Sequence, residues 1–384
     1  MNRNRFEKKF VHTRILVSSL CVLCVLCVSI SAQQWKSVAD GVEYAEVRRE
    51  FSGKSVNINL LRLDLKKVRL DVHHAMDAAI GTEKTSSIAT RHKAFAAINA
   101  GFFRLDTTSF AGDPVGLFMI DGEPLSEAVN DRIQLIISNR SNRSDIQFAR
   151  MKLLQSVTLG QETFDVTGVN RERKADDTVI YTPHFGPTTK TGGGGLELVI
   201  VKGIIISALD GLGNAAIPRN GYVISASGKF RQSLAAVEGK NGSLRLTRRW
   251  EGLPAELTRD RFQLDVVTGV PQLIKNSKID ITWEQEKSSK SFVETRHPRT
   301  AVAKLKDGKF LMLTADGRTE QSAGLDLYDL AAYFLELGAT DAMNLDGGGS
   351  TTMFVGSKVV NKPSDKEGER KVGDAILVTL RKKK

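Results

Sequence analysis

The first third of the chain alternates apolar and polar residues with the period of β-strands. Residues 56–60 and 68–72 place apolar side chains at every second position, which predicts strands with one buried face. The run 94–98 is apolar throughout and predicts a fully buried strand that ends at Asn99, before a glycine turn. A buried amide needs hydrogen-bond partners. Asn99 therefore either pins the turn or points into a functional site.

The last third of the chain has the most distinct pattern. Apolar strands are predicted at 299–305 and 310–315, and the Asp-Gly pair between them is typical of a β-hairpin. An apolar face with helical spacing predicts a helix from 326 to 337, which ends at Gly338. The sequence thus predicts a hairpin followed by a helix that packs against it.

A glycine-rich stretch follows this helix. Residues 344–353 read Asn-Leu-Asp-Gly-Gly-Gly-Ser-Thr-Thr-Met, which predicts a strand, a tight turn and a second strand. Backbone N–H groups in such a turn can approach an anion or a sugar closely. The simpler interpretation is a hairpin in which Asp346 caps its own turn. Glycines cost about 0.5–1 kcal/mol each inside an element, so three in a row favour a functional loop. The candidate binding residues are Gly347, Gly348, Gly349, Ser350 and Thr351.

The polar ends of the predicted hairpin supply further candidates. Arg299 opens the first strand, and Asp316 and Arg318 follow the second, so hairpin geometry is expected to bring all three together. The arginines can bind phosphate oxygens through paired N–H groups. Asp316 and Asp346 form a candidate acid/base pair, because glycoside hydrolysis commonly uses two carboxylates. The alternative is a structural cluster of ion pairs.

The N-terminus has the pattern of a secretory signal peptide over residues 1–32. Five basic residues flank or precede an apolar run at 15–30, and small residues stand where cleavage is expected. A retained N-terminal anchor is the alternative. All three cysteines lie in the apolar run. The expected mature chain, 33–384, therefore contains no disulfide and no cysteine metal ligand.

Composition and charge restrict the classes of partner. The 384 residues are 41% hydrophobic and 26% charged, and without repeats or a low-complexity linker they favour a single domain at 33–384, with a core of about 57–380. The formal charge of +11 becomes +7 without the signal segment. Neither a basic helix nor interleaved aromatic residues accompany this charge, which argues against nucleic acid. We expect anionic glycans or phosphorylated sugars as partners, in a secreted or periplasmic location without stable membrane insertion.

Four motifs, in this order, resemble those of the phosphodiester glycosidase family. They are Asn99-Ala100-Gly101-Phe102-Phe103, His297-Pro298-Arg299-Thr300-Ala301, Thr314-Ala315-Asp316-Gly317-Arg318 and the stretch 344–353. The resemblance implies an α+β fold with a mixed, largely antiparallel sheet and packed helices. It also implies an exported hydrolase that cleaves the glycosidic bond of a sugar-1-phosphodiester, releasing the sugar and leaving a phosphomonoester. By motif position the site residues are Asn99, Arg299, Thr300, Asp316, Arg318, Asp346, Gly348 and Ser350, and the first motif adds Phe102.

Three other functions are considered. A sugar kinase or actin-like ATPase also uses Asp-Gly-Gly loops, but export argues against a nucleotide substrate. A non-catalytic protein that binds glycans or cell-envelope polymers on the same fold is the main alternative. A metal-dependent phosphodiesterase needs clustered ligands, whereas His73, His74, His92, His184 and His297 are scattered along the sequence. We expect no cofactor, and the sequence leaves open a single Mg²⁺ or Ca²⁺ held by aspartates.

Overall fold

The computed structural model describes residues 34–235, 244–261 and 263–382. The predicted signal peptide, and the tight turn that Asn241-Gly242 predicts, lie outside these ranges. Within the described ranges, no helix has the length and apolar character needed to cross a membrane.

Strands in five sheets and one short ribbon make up most of the described chain. Sheet I has eight strands in the spatial order β1 (Lys36–Ala39), β2 (Val42–Phe51), β3 (Lys54–Leu63), β23 (Phe310–Ala315), β22 (Arg299–Leu305), β24 (Ala339–Asn344), β20 (Gln272–Lys275) and β21 (Lys278–Ile279). Sheet II has the order β26 (Lys358–Val359), β25 (Met353–Val355), β6 (Ala96–Asn99), β28 (Asp374–Leu380) and β4 (Val68–His74). Sheet III has the order β10 (Ser144–Ala149), β9 (Gln134–Asn139), β19 (Leu264–Thr268), β7 (Phe118–Ile120) and β8 (Glu123–Ser126).

The remaining sheets come mainly from the middle of the chain. Sheet IV has the order β13 (Gly168–Val169), β14 (Thr178–Tyr181), β17 (Gly221–Ser227), β15 (Gly195–Val201) and β16 (Ile204–Asp210). Sheet V has the order β12 (Glu162–Asp165), β11 (Lys152–Leu159) and β18 (Leu244–Glu251), and the ribbon pairs β5 (Glu83–Lys84) with β27 (Lys371–Val372). The described α-helices are α1 (Thr85–Arg91), α2 (Gly228–Ala235), α3 (Lys290–Glu294) and α4 (Leu327–Glu336).

Sheet I separates two hydrophobic cores because its central strands bury both faces. On β3, Leu61 and Leu63 pack with residues of sheets II and III, whereas Ile58 and Leu60 pack beneath α3 and α4. Full burial of one such side chain stabilises the fold by about 1.5–3 kcal/mol. Strands with two buried faces lose the simple alternation of apolar and polar residues. This explains why the adjacent Leu60 and Leu61 are both apolar.

The predicted hairpin and helix are confirmed. β22 and β23 have the expected bounds, and Arg299 pairs with Ala315 across the hairpin. The carboxylate of Asp326 caps α4 by accepting a hydrogen bond from Asp329 N–H at 2.8 Å. Gly338 follows the helix with a φ of 87°, in the left-handed region that favours glycine.

The glycine-rich stretch does not form the predicted strand–turn–strand unit within one sheet. β24 belongs to sheet I and β25 to sheet II, so the intervening residues cross from one sheet to the other. A 3-10 turn at Gly348–Ser350 lies within the crossing. The loop therefore sits at the edge of the first core, where two sheets meet.

The expected α+β class is confirmed only in its largely antiparallel sheets. The four described α-helices span five to ten residues each, so the protein is largely β. Its strand pairs are antiparallel apart from the short parallel pair β13–β14 among the described strands. The α+β expectation came from the family resemblance, whereas the apolar and polar patterns themselves predicted mainly strands.

Candidate active site

Backbone hydrogen bonds fix the path of the glycine-rich stretch between sheets I and II. Asp346 N–H donates to Ala100 O at 2.9 Å, immediately after β6. Gly348 N–H donates to Pro298 O at 2.8 Å, immediately before β22. The two bonds tie the loop to one strand end of each sheet. Asp346 is thereby held at the junction of the sheets.

Each of the three glycines is required by its surroundings. A Cβ on Gly347 would lie 2.6 Å from Pro298 O, and Gly348 has a φ of 60°. A Cβ on Gly349 would overlap the guanidinium of Arg370. Real Cβ atoms do not approach other atoms this closely. The triglycine sequence therefore permits a close approach of backbone and arginine.

The glycine amides do not form the open row of donors that the sequence predicts. Gly348 N–H donates to Pro298 O, and Gly347 N–H lies close enough to the carboxylate of Asp346 to lower its pKa. One of the three donors is thus satisfied inside the protein, and a second lies close to Asp346. The loop orients a carboxylate and makes room for arginines, so most ligand contacts would come from side chains.

Two arginines flank the loop. Nη2 of Arg318 lies 3.1 Å from the position a Cβ would take on Gly348, and its side chain is exposed. Arg318 also has a φ of 62°, a left-handed conformation that is uncommon outside glycine and often marks functional sites. Arg370 contacts Gly349 and pairs with Asp365 through two hydrogen bonds, of 2.7 and 3.0 Å. The sequence predicted Arg318 and missed Arg370, which lies in a polar loop without a recognisable motif.

The carboxylate of Asp346 is enclosed by protein but retains a small exposed surface. Burial raises its pKa to about 6, although Ser350, Arg370 and the N–H of Gly347 each act to lower it. Burial therefore outweighs the stabilising contacts. At neutral pH the group is ionised yet remains basic enough to accept a proton, as a nucleophile or general base requires.

Asp374 is a second carboxylate at this site, which the sequence analysis missed. It begins β28, is buried, and lines a narrow crevice with Gly101 and Phe102. Gly101 N–H donates to Oδ1 at 2.5 Å, whereas Oδ2 has no partner in the described part of the chain. Burial, with a contribution from the charge of Asp346, raises the pKa of Asp374 to about 7. A sequence signal existed, because an aspartate that opens an apolar strand must be buried or paired.

Three consecutive hydroxyl side chains follow the glycines. Ser350, Thr351 and Thr352 are each at most 1% exposed, and their hydroxyl oxygens have no hydrogen-bond partner among the residues described. Ser350 lies close enough to Asp346 to lower its pKa, without the geometry of a hydrogen bond. Buried polar groups normally have partners. The three hydroxyls are therefore buried donors and acceptors without a partner among the described residues, and Ser350 is the one close to Asp346.

The amide of Asn99 is used inside the protein. Its Oδ1 accepts from Thr300 Oγ1 at 2.8 Å and from Thr352 N–H at 3.0 Å, and its Nδ2 donates to Asp346 O at 2.7 Å. Of the two roles considered for Asn99, this geometry supports the one that pins the turn. Thr300 is likewise buried and serves as a partner of Asn99. Both residues hold the backbone of Asp346 in place.

Arg299 does not present its guanidinium to the loop, contrary to prediction. It is 1% exposed, and it donates to Leu325 O at 2.9 Å, to Phe292 O at 2.9 Å and to Thr295 O at 2.7 Å. Its partner across the hairpin is Ala315, so its side chain lies on the helical face of sheet I. Arg299 therefore joins α3 and the segment before α4 to the sheet.

Asp316 lies on the opposite face of the hairpin from Arg299, because side chains alternate along a strand. Its Oδ1 accepts from Lys362 N–H at 3.0 Å, and burial, opposed by this bond, raises its pKa to about 6. Its charged neighbours are Glu46 and Lys362, whereas Asp346 interacts with Arg370 and Asp374. Asp346 thus interacts electrostatically with Asp374, and the acid/base pair of Asp316 and Asp346 stays a prediction.

Phe102 borders the site from the side of sheet II. Its ring is partly exposed and packs edge-to-face on Phe292, with ring centres 6.1 Å apart. The guanidinium of Arg132 lies over the ring at 5.9 Å from its centre. Phe102 also lines the crevice of Asp374. Phe102 therefore lies beside Asp374, and its substrate-binding role stays a prediction.

The fold and site together define a largely antiparallel β protein with an arginine-flanked carboxylate on a glycine loop. The resemblance to the phosphodiester glycosidase family is confirmed, because the sequence model of that family matches residues 193–379. This segment includes Arg318, Asp346, Arg370 and Asp374. Members of the family include hydrolases.

Relatives match a limited part of the chain. A mouse N-acetylglucosamine-1-phosphodiester alpha-N-acetylglucosaminidase is 36% identical over 112 residues, which are 27% of this chain and 21% of the relative. The SPbeta prophage-derived protein YomE of Bacillus subtilis is 38% identical over 87 residues, which are 23% of this chain and 13% of the relative. The chain thus spans about a fifth or less of the length of these relatives.

Two solved structures share the fold over most of the chain. A hypothetical protein from Synechocystis has a TM-score of 0.78 at 22% identity and covers 91% of this chain and 64% of its own. A candidate exported protein of Burkholderia pseudomallei has a TM-score of 0.75 at 26% identity and covers 85% of this chain and 74% of its own. The architecture described above is therefore one that other proteins also adopt.

Proposed function

We propose that this protein is a hydrolase that cleaves the glycosidic bond of a sugar-1-phosphodiester. The products are the free sugar and a phosphomonoester of the other alcohol. The observation that carries the proposal is the setting of Asp346, which precedes two glycines contacted by arginines and whose charge interacts with Arg370 and with the buried carboxylate of Asp374. The family match over the same segment supports this reaction class.

The arginines account for recognition of the phosphate. Arg318 is exposed and forms no ion pair or hydrogen bond among the described residues. Arg370 uses two N–H groups on Asp365, and a guanidinium has five N–H donors in all. A phosphodiester carries one negative charge and two free oxygens. It would bind at Gly348 and Gly349, where the backbone lets both guanidinium groups approach.

The carboxylate pair accounts for the chemistry. The ionised Asp346 attacks C1 of the sugar or removes a proton from an attacking water, while the bond between C1 and the phosphate oxygen breaks. The water supplies a hydroxyl group to C1 and a proton to the second product. A phosphate monoester is a good leaving group, so strong acid assistance is unnecessary. Burial and the charge of Asp346 raise the pKa of Asp374 to about 7, so Asp374 holds a proton beside the ionised Asp346.

Export and partners complete the proposal. We propose that residues 1–32 direct the chain out of the cytoplasm and that 33–384 act as one domain. The sequence pattern supports this, and the structurally similar Burkholderia protein is itself a candidate for export. Anionic glycans or phosphorylated sugars of the envelope would then be the substrates, and no metal takes part in the reaction.

The test is a screen of the purified chain against sugar-1-phosphodiesters, with and without a chelator. Free sugar should be released at the same rate in both conditions. Asp346→Asn should lose turnover, whereas Asp210→Asn, a matched change in an exposed ion pair with Arg231, should not. Release of a sugar phosphate would assign the cut to the phosphorus–oxygen bond. Binding without turnover would instead support a glycan-binding protein.

A further inference from the structure

A second cluster of reactive side chains lies away from Asp346. His73 at the end of β4, Asp77 in the 3-10 turn Ala75–Asp77 and His92 after α1 offer ligand atoms that all lie within 4.8 Å of one another. The rings of His73 and His92 stack with their centres 3.6 Å apart. The histidines are scattered along the sequence, and the fold brings His73 and His92 together.

The fold also separates this cluster from the neighbouring His74. That ring is buried on the other face of β4, where its nitrogens lie 3.2 Å from Ala75 O and 2.9 Å from Gly112 O. His74 therefore has partners of its own. The cluster consists of the outward-facing His73, Asp77 from the turn and His92 from the end of α1.

The backbone places Asp77 for this contact. Met76 and Asp77 both have positive φ values, of 60° and 52°, which turn the chain back towards α1. Such conformations are unfavourable for non-glycine residues and persist only where the surroundings hold them. As a result, Asp77 Oδ1 lies 2.9 Å from Nε2 of His92.

Arg91 occupies the rest of the cluster. Its Nη1 contacts Asp77 Oδ2 and lies 3.0 Å from Nε2 of His92. Its Nη2 donates to Glu83 at 2.8 Å. Glu83 can therefore hold the guanidinium of Arg91 if the contacts to Asp77 and His92 are lost.

We propose that His73, Asp77 and His92 bind a divalent late transition metal ion, with Zn²⁺ as the first candidate. Two imidazoles and one carboxylate are a common ligand set for Zn²⁺, and water would complete a tetrahedron. Bonds of about 2.0–2.2 Å require ligand atoms roughly 3.3–3.6 Å apart, so the wider separations in the cluster must shorten by about 1 Å while Asp77 Oδ1 and His92 Nε2, now 2.9 Å apart, move slightly apart. Asp77 Oδ2 can still accept a hydrogen bond from Arg91, because metal-bound carboxylates usually retain a hydrogen bond.

The ion would join three segments that are distant in sequence. It would link the end of β4, the turn Ala75–Asp77 and the end of α1, and so would stabilise the folded state by mass action. This inference does not depend on the hydrolase proposal, because none of its residues contacts Asp346 or Asp374. Zn²⁺ binding and sugar release can therefore succeed or fail separately.

The test is calorimetric titration of the full chain with ZnCl₂ after removal of metal by a chelator, together with its thermal unfolding. The wild type should bind one Zn²⁺ with micromolar or tighter affinity and unfold at a higher temperature. His73→Gln, Asp77→Asn and His92→Gln should each weaken binding at least about tenfold. His184→Gln, a matched change at an exposed histidine, should leave it unchanged.

A further variant tests the role of Arg91. Arg91→Gln removes a positive charge that competes with the ion, and Zn²⁺ should bind about tenfold more tightly. Co²⁺ should give the visible absorption of a tetrahedral site in this variant and in the wild type. Equal Zn²⁺ binding by the wild type and the three ligand variants would overturn the proposal. So would the absence of binding by the wild type.

Discussion

Replacement of Asp374 by Asn should make the protein more stable at alkaline pH while it lowers activity. Asp374 is buried, its Oδ2 has no partner in the described chain, and its pKa is raised from 3.8 to about 7. The folded state therefore binds a proton that the unfolded state releases between these two values. Wild-type stability must fall as the pH rises through this window.

The size of the change in stability follows from the pKa shift of Asp374. A difference of about three pKa units corresponds to about 4 kcal/mol, which the wild type loses between pH 4 and pH 8. An asparagine has no proton to lose there, and its Oδ1 still accepts from Gly101 N–H. Its NH₂ group would be unsatisfied, at a cost of about 1–3 kcal/mol at every pH. Asp374→Asn should thus be the less stable protein at pH 4 and the more stable one at pH 8.

The assay is urea unfolding from pH 4 to pH 8, followed by the fluorescence of the three tryptophans. Asp210→Asn, at the exposed ion pair with Arg231, is the control and should follow the wild-type profile. In the same preparations, Asp374→Asn should hydrolyse a sugar phosphodiester more slowly. Parallel stability profiles for wild type and Asp374→Asn would refute the reasoning.

Three further changes test other parts of the site. Arg318→Gln should raise KM for a phosphodiester about 10–100-fold through loss of a charge-assisted contact of about 1.5–3 kcal/mol, whereas the exposed Arg249→Gln should not change KM. Gly347→Ala should destabilise the fold by about 1–3 kcal/mol in urea unfolding, because its Cβ would lie 2.6 Å from the backbone oxygen of Pro298; wild-type stability would contradict the packing described. Asp316→Asn should retain activity across the pH range, because the carboxylate of Asp316 accepts a hydrogen bond from Lys362 N–H. Complete inactivation of this variant would instead show that Asp316 is catalytic.

Local patterns were sufficient to predict the elements that carry the site. The bounds of β22 and β23, the cap of α4 at Asp326 and the glycine stop at Gly338 all follow from short-range rules. Each depends on residues within one or two turns of the chain. The glycine-rich stretch was also selected as a candidate functional loop, because its composition is costly anywhere else, and this role stays a prediction.

The side-chain arrangement depended on information that local patterns do not contain. Arg299 and Asp316 were expected to meet, but a hairpin register that pairs Arg299 with Ala315 sends them to opposite faces. A shift of one residue would have reversed this result. Asp374 and Arg370 were missed because they reach Asp346 through the tertiary fold, from a strand and a loop without a motif. The stacking of His73 on His92 likewise depends on how α1 packs against sheet II.

Hydrolysis of a sugar-1-phosphodiester in water enriched in ¹⁸O tests the central claim most directly. If Asp346 acts at C1, the bond between carbon and oxygen breaks, and mass spectrometry should find no ¹⁸O in the phosphomonoester. The Asp346→Asn variant should give neither product. Incorporation of ¹⁸O into the phosphate, or release of a sugar phosphate, would show attack at phosphorus and contradict the account.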